Sequence, residues 1–356
     1  MNYFTTMNLP APTHEQFNIK LKFYQNKYEN AIKDLEIALS DYLEVEKVAS
    51  FCNCFTAIGL ALIHACHDRS KTVAIAGQSY RRTTDIVHWA GLKPIYIDNS
   101  IQTLGMSEKK LVKELEKKTI GCILLQHPMV KILNIKTFQK ISTEYDVPLI
   151  FDSVEAMGSI FDGKKIGGFG LLEAFSLHPS KVLNAAEGGI LTFGNEHNFN
   201  KFQKRMIKIG VYSEKTGENI NFGIEPIHAI MGLASLENNL YNLNIFKKHY
   251  LRYKSNLNNS NLVEIIDYDE KIKPNYKTIL VKMKNKKEKL RMDLLKYLEL
   301  NNIGARPYYS PLHKNCFNYQ LPNAKLLEKK YILLPIGNSV KEDDIDFICE
   351  KIQKFN

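Results

Sequence analysis

The segment that decides the fold runs from Phe151 to Gly194: FDSVEAMGSIFDGKKIGGFGLLEAFSLHPSKVLNAAEGGILTFG. One apolar run ends in Asp152. A second ends in Ser176-Leu177-His178-Pro179-Ser180-Lys181, and a third opens at Glu187-Gly188-Gly189. In open α/β sheets, ligands bind outside the carboxyl ends of the strands. Asp152, Ser176 and Lys181 are therefore expected along one such edge. LEAFSLH and GGILTFG are separated by about ten residues, too few for a crossover helix, so one antiparallel strand is expected within the parallel sheet.

Upstream, the runs KTVAIA, KPIYID, GCILLQH and VPLIFDS read as strands, alternating with helical patterns such as FTAIGLALIHACH and NIKTFQKISTEYD. This is the pattern of βαβ units and of an α/β fold, a mainly parallel mixed sheet flanked by helices. Residues 1–30, with two prolines, read as an extended N-terminal arm. Residues 31–244 read as the large domain, closing with one long helix that begins at PIHAIMGL and runs on into an Asn-rich stretch. Residues 245–356 read as a small C-terminal α+β domain with strands at YKTILVKM and GARPYY and a final helix at EDDIDFICEKIQKF.

Composition narrows the class. The chain has 356 residues, 44% hydrophobic and 24% charged, as in ordinary globular proteins, and no apolar run long enough to span a membrane. The first residues lack the layout of a secretory signal, so a cytoplasmic location and no membrane partner are expected. The six cysteines sit mostly in apolar contexts and read as reduced core thiols. Cys52 and Cys54 with His64, Cys66 and His67 lack the usual zinc spacing, and the second group falls in an apolar helix, so no metal is expected. The net charge of +10 is spread along the chain without a nucleic-acid motif; it suits an anionic small substrate instead.

The Asp152–Lys181 pairing suits pyridoxal 5'-phosphate (PLP). That cofactor needs a lysine to hold it as a Schiff base, an anion to keep its pyridine nitrogen protonated, and donors for its phosphate. Lys181, Asp152 and the Ser176 hydroxyl can supply these. Taken singly, a strand-end aspartate is usually a turn former or helix cap and a loop lysine is usually a surface residue. The combination sets these residues apart.

FDSVEAMGS…GKKIGGFG…FSLHPSKVLNAAEGGILTF resembles the signature of the DegT/StrS-type sugar aminotransferases, which are fold-type I PLP enzymes. NLPAPTHEQF, GLKPIYID, ARPYYSPLH and LPNAKLLEKKYILLPIGNSVKEDDIDFI extend the resemblance along nearly the whole chain. It implies that Lys181 is the Schiff-base lysine, Asp152 the partner of the pyridine nitrogen, and Ser176 a phosphate ligand. Glu155 would lie near the cofactor's 3'-oxygen, and Tyr80 would stack on its ring. Asn221 would reach the phosphate in a neighbouring subunit, which implies a homodimer with shared active sites. The family's Ser-Gly-Thr phosphate loop stands here as Asn53-Cys54-Phe55, followed by Thr56. The amides of Cys54 and Phe55 remain available at a helix N-terminus. Ala76-Gly77 replaces a usual proline, and Gly223 a usual basic residue.

The function implied is ping-pong transfer of an amino group from an amino acid, L-glutamate by expectation, to a nucleotide-linked keto sugar. The His-Pro-Ser-Lys wording is most similar to members that aminate C4 of a dTDP-4-keto-6-deoxyhexose. A non-catalytic PLP-binding or regulatory homologue and a transaminase of another keto substrate are the alternatives. A dehydratase would carry histidine in place of Lys181, and a nicotinamide dehydrogenase would need a glycine fingerprint after the first strand. Lys165, Arg306 and His313 are left open as substrate contacts.

Overall fold

A computed structural model describes residues 4–5, 11–284, 288–312 and 319–355. In chain order, β1 (Phe4–Thr5) is followed by α1 (His14–Tyr24), α2 (Asn30–Leu43), β2 (Lys47–Phe51), α3 (Cys54–Ala65), β3 (Thr72–Ala76), α4 (Thr83–Trp89), β4 (Lys93–Ile97) and α5 (Glu108–Leu115). Then come β5 (Cys122–Gln126), α6 (Ile135–Glu144), β6 (Leu149–Asp152), the small hairpin β7 (Ile160–Phe161) and β8 (Lys164–Lys165), β9 (Leu172–Ser176) and β10 (Gly189–Phe193). The helices α7 (Glu196–Lys208), α8 (Pro226–Leu236) and α9 (Asn239–Leu257) lead into the C-terminal part. That part contains β11 (Val263–Ile265), β12 (Ile279–Met283), α10 (Glu288–Leu300), β13 (Ile303–Gly304), β14 (Arg306–Pro307), α11 (Pro322–Lys330), β15 (Tyr331–Leu334) and α12 (Glu342–Lys354).

The main sheet has seven strands in the order β2-β10-β9-β6-β5-β3-β4. β10 runs antiparallel to both β2 and β9, and the other pairings are parallel. The antiparallel return expected between LEAFSLH and GGILTFG is therefore present. Alternate residues of each strand feed two cores, as the two-residue period of a strand requires. Ile123 and Leu125 of β5 join the side covered by α2, α5, α6 and α8, while Cys122 and Leu124 join the side covered by α3, α4 and α7. A third core lies between α9, α10, α12 and the antiparallel sheet β11-β12-β15-β14.

Two local expectations are corrected. The segment read as an extended arm contains α1, because Thr13 and Gln16 form a reciprocal capping box that satisfies the helix's first amides. The single long helix expected from Pro226 is two helices, broken at Glu237–Asn238. The boundary drawn at 244/245 falls inside α9. Among the described residues, no helix is long and apolar enough to cross a membrane.

Candidate active site

Asp152 ends β6, Ser176 ends β9 and Gln126 ends β5; Gln126 is in register with Asp152. The parallel strands thus deliver all three to one edge of the sheet. Gly189 starts β10 directly opposite Ser176 and opposite Phe51, the last residue of β2. A Cβ on Gly189 would lie 2.4 Å from both the Cα and the N of Cys54. Glycine is what lets β10 pass against the first turn of α3 and brings that helix end to the same edge.

Asn53 caps α3, its side chain accepting from the Thr56 amide at 2.8 Å. The amides of Cys54 and Phe55 occupy the first turn, where a helix has no internal partners for its N–H groups and favours anions. Burial, then the charge of Asp152, pushes the Cys54 thiol well above its ordinary range, so it sits there neutral.

Lys181 follows a tightly knit turn. Its amide donates to the His178 carbonyl at 2.9 Å, the Ser180 amide donates to His178 Nδ1 at 3.2 Å, and the His178 amide donates to Ser176 Oγ at 3.3 Å. Farther along, the Ala185 amide donates to the Leu177 carbonyl and the Leu177 amide to the Gly188 carbonyl. The loop is held by its own backbone between two strands. The Lys181 side chain lies 2.7 Å from Glu155 Oε1.

The two carboxylates diverge in character. Burial pushes Asp152 up to about 7, against the smaller opposing effects of the Val154 amide and Lys181. Glu155 is equally buried, but the ammonium groups of Lys181 and Lys277 outweigh that burial and hold it well below the usual carboxylate range. Burial alone would lower Lys181, yet Glu155 and Asp152 carry it above its ordinary value.

These groups fit PLP. A buried carboxylate that burial drives toward neutrality is what a pyridinium N–H would compensate, and Asp152 is that group. Lys181 is an amine that could hold the cofactor's aldehyde, and Ser176 with the α3 N-terminus offers donors that would suit its phosphate. Tyr80, half-exposed, hangs over the same edge, its amide donating to Gln126 Oε1 at 3.0 Å and its ring set edge-on to Tyr309 at 6.2 Å.

Other positions stand apart. Asn221 is exposed and its side-chain Nδ2 donates to the Gly210 carbonyl of its own chain, so this chain alone does not bring it to Lys181. Lys165 donates to the Tyr42 carbonyl and pairs with Glu44. His313 lies outside the described residues. The glycine-rich GGFG segment has a structural role: the amides of Gly167 and Phe169 donate to buried Glu173, at 3.1 and 2.6 Å.

Three residues beside the site were not singled out from sequence. His127 stacks on Phe151, with ring centroids 5.3 Å apart, and burial lowers it to about 3, keeping the imidazole neutral. Lys277 is a buried lysine bonded to Glu155 Oε2. Asn275 donates through Nδ2 to the Glu155 and Met157 carbonyls. Their neighbours in NYKTILVKM read only as the start of a strand, and nothing in that pattern marks the lysine as buried.

Comparison with known proteins agrees with this geometry. A model of the DegT/DnrJ/EryC1/StrS aminotransferase family matches residues 19–353. GDP-perosamine synthase of Escherichia coli O157:H7 is 25% identical over 338 residues, covering 92% of this chain and 90% of its own. The UDP-4-amino-4,6-dideoxy-N-acetyl-beta-L-altrosamine transaminase of Campylobacter jejuni is 25% identical, with 91% of each chain covered. The solved structure of DesI with its TDP-sugar product superposes with a TM-score of 0.88 at 18% identity, over 99% of this chain and 93% of that one.

Proposed function

The chain belongs to the DegT/DnrJ/EryC1/StrS aminotransferase family and is a PLP-dependent aminotransferase; we propose that it acts on nucleotide sugars, that Lys181 holds the cofactor and that the acceptor is a dTDP-linked 4-keto-6-deoxyhexose, with L-glutamate as donor. The observation that carries the reading is the meeting of Asp152, Lys181 and the α3 N-terminus at one sheet edge. When bound, PLP supplies an aldehyde for the Lys181 amine and a ring that takes up the electron pair left when a proton leaves the donor's α-carbon.

The residues divide the work. Asp152, ionised, would keep the cofactor's pyridine nitrogen protonated. The amides of Cys54 and Phe55 and the Ser176 hydroxyl would hold its phosphate. Tyr80 would cover its ring, and Glu155, which already orients Lys181, would lie on the side of its 3'-oxygen. Lys181 would take the proton from the donor's α-carbon and deliver it at the cofactor's C4' carbon, and with the keto sugar it would work in the opposite direction.

The sugar-nucleotide class is supported by relatives named for GDP- and UDP-linked sugars and by a structural neighbour with a TDP-sugar. The dTDP, C4 and glutamate choices come from the wording of the Lys181 loop and the family pattern. A homodimer with shared sites is supported by exposed Ile220 and Phe222 beside Asn221, with exposed Trp89 packed against Phe222, an apolar surface that a second copy would cover. The test is a half-reaction. The protein would be converted by glutamate to its amino form and offered GDP-, UDP- and dTDP-linked keto sugars. Return of the original visible spectrum with a dTDP-4-keto sugar is expected; return only with another nucleotide or with a 3-keto sugar would overturn the substrate assignment.

A further inference from the structure

Glu155 is held by two lysines at once. Lys181 Nζ lies 2.7 Å from Oε1, and Lys277 Nζ donates to Oε2. The side chain of Glu155 is 2% exposed and that of Lys277 6%, so this pair is closed to water. Lys277 comes from the C-terminal part of the chain, just before β12. Its position is fixed by its neighbours. Asn275 donates to two carbonyls of the Glu155 loop, its amide donates to Ser159 Oγ at 3.2 Å, and Tyr276 takes a left-handed conformation at φ 53° between them. Burial lowers Lys277 below its ordinary range, and Glu155 offsets part of that loss.

Two buried cations on one buried carboxylate need a reason. A lysine that serves as nucleophile and proton carrier must become neutral during the cycle. With Lys181 as the sole partner of Glu155, each loss of that proton would strand a buried carboxylate without a counter-charge, a state that low-dielectric surroundings strongly disfavour. Lys181 would then be locked in its charged form. A second ammonium group, contributed by another part of the chain and taking no part in proton transfer, removes that obstacle.

We propose that Lys277 is a positioning residue for amino transfer: as the standing counter-ion of Glu155, it lets Lys181 lose and regain its proton while Glu155 stays ionised and in place. The proposal rests on the reading of Lys181 as the cofactor lysine. The other titratable groups near the three are Asp152 and Cys54 beside Lys181, Arg306 near both Lys277 and Glu155, and Tyr268, Tyr308 and Tyr309 around Glu155. Burial drives the thiol and the three phenols upward, so they stay neutral at working pH and cannot replace Lys277.

The test is a pH titration of the visible band of the PLP-loaded protein, comparing wild type, Lys277→Met, Lys277→Arg, Glu155→Gln and the Glu155→Gln/Lys277→Met double variant. In Lys277→Met the midpoint is expected to rise by at least one pH unit, because deprotonation now leaves Glu155 unpaired. Lys277→Arg should stay near wild type, and adding Lys277→Met to Glu155→Gln should leave the midpoint where Glu155→Gln puts it. An unchanged midpoint in Lys277→Met, or an equal shift in the Glu155→Gln background, overturns the proposal. Should Lys277→Met be too unstable to load, the double variant is expected to fold and bind PLP; its failure would also overturn the proposal, since Lys277 would then serve packing alone. Lys181→Ala is expected to lose the band. If the band persists there, the reading of Lys181 fails, an outcome separate from the titration.

Discussion

Asp152 and Glu155 lie on one short stretch, both buried, and their surroundings push them in opposite directions. Asp152, at about 7, has no full counter-charge of its own, while Glu155 has two. A carboxylate raised on folding binds its proton more tightly in the folded state. Its contribution is therefore fully present at low pH and is lost as pH rises from the unfolded value of 3.8 toward about 7. In the cofactor-free protein, Asp152→Asn is expected to flatten the pH dependence of Tm across that window and to stabilise the fold at pH 8 by on the order of 4 kcal/mol. The same variant should bind PLP more than tenfold more weakly. Thermal melts with and without PLP check both; a variant less stable than wild type at pH 8 without cofactor would contradict this account of Asp152. At this scale the sequence was informative where residue type and strand end coincide, as at Asp152 and Ser176, with Lys181 in the loop that follows. It was silent on Lys277, because a lysine is ordinarily exposed and its burial follows from the Asn275–Tyr276 turn against a loop more than a hundred residues away.

Among the elements, the approach of β10 to α3 is the critical contact. With its Cβ position 2.4 Å from the Cys54 backbone, Gly189 cannot gain a side chain unless the strand or the helix end moves. Gly189→Ala is expected to cost about 1–3 kcal/mol of stability and to weaken phosphate binding at the α3 N-terminus. Denaturant unfolding, together with titration of PLP against inorganic phosphate as competitor, measures both. A variant with native stability and native PLP affinity would show that this contact does not set the site. At the other end of the chain, Thr13→Ala removes the cap of α1 and should cost about 1 kcal/mol with no change in the visible spectrum of bound PLP. Six strands of the main sheet were legible because strands covered by helices on both faces read as largely apolar runs. β2 was not, since KVASF is only partly apolar, and it gains its place from pairing with β10. The break between α8 and α9 also escaped, because ENN at residues 237–239 contains no proline or glycine to mark it.

Over the whole molecule, the Glu155 loop and the Asn275–Lys277 turn join the main sheet to the C-terminal part, so the surroundings of Lys181 depend on both. The proposed sharing of sites between two copies gives a further prediction. Co-expressed Lys181→Ala and Asn221→Ala chains should recover activity that neither homodimer has, because one mixed site keeps both native residues. Activity no greater than the separate variants would argue that each chain builds its site alone. The functional expectations turn on Lys181. The most direct measurement is borohydride reduction of the PLP-loaded protein, followed by mass spectrometry of the intact chain and of its peptides. One reduced cofactor per chain, on the peptide containing Lys181, is the predicted result; label on Lys277 or any other lysine, or an unmodified chain, would contradict it.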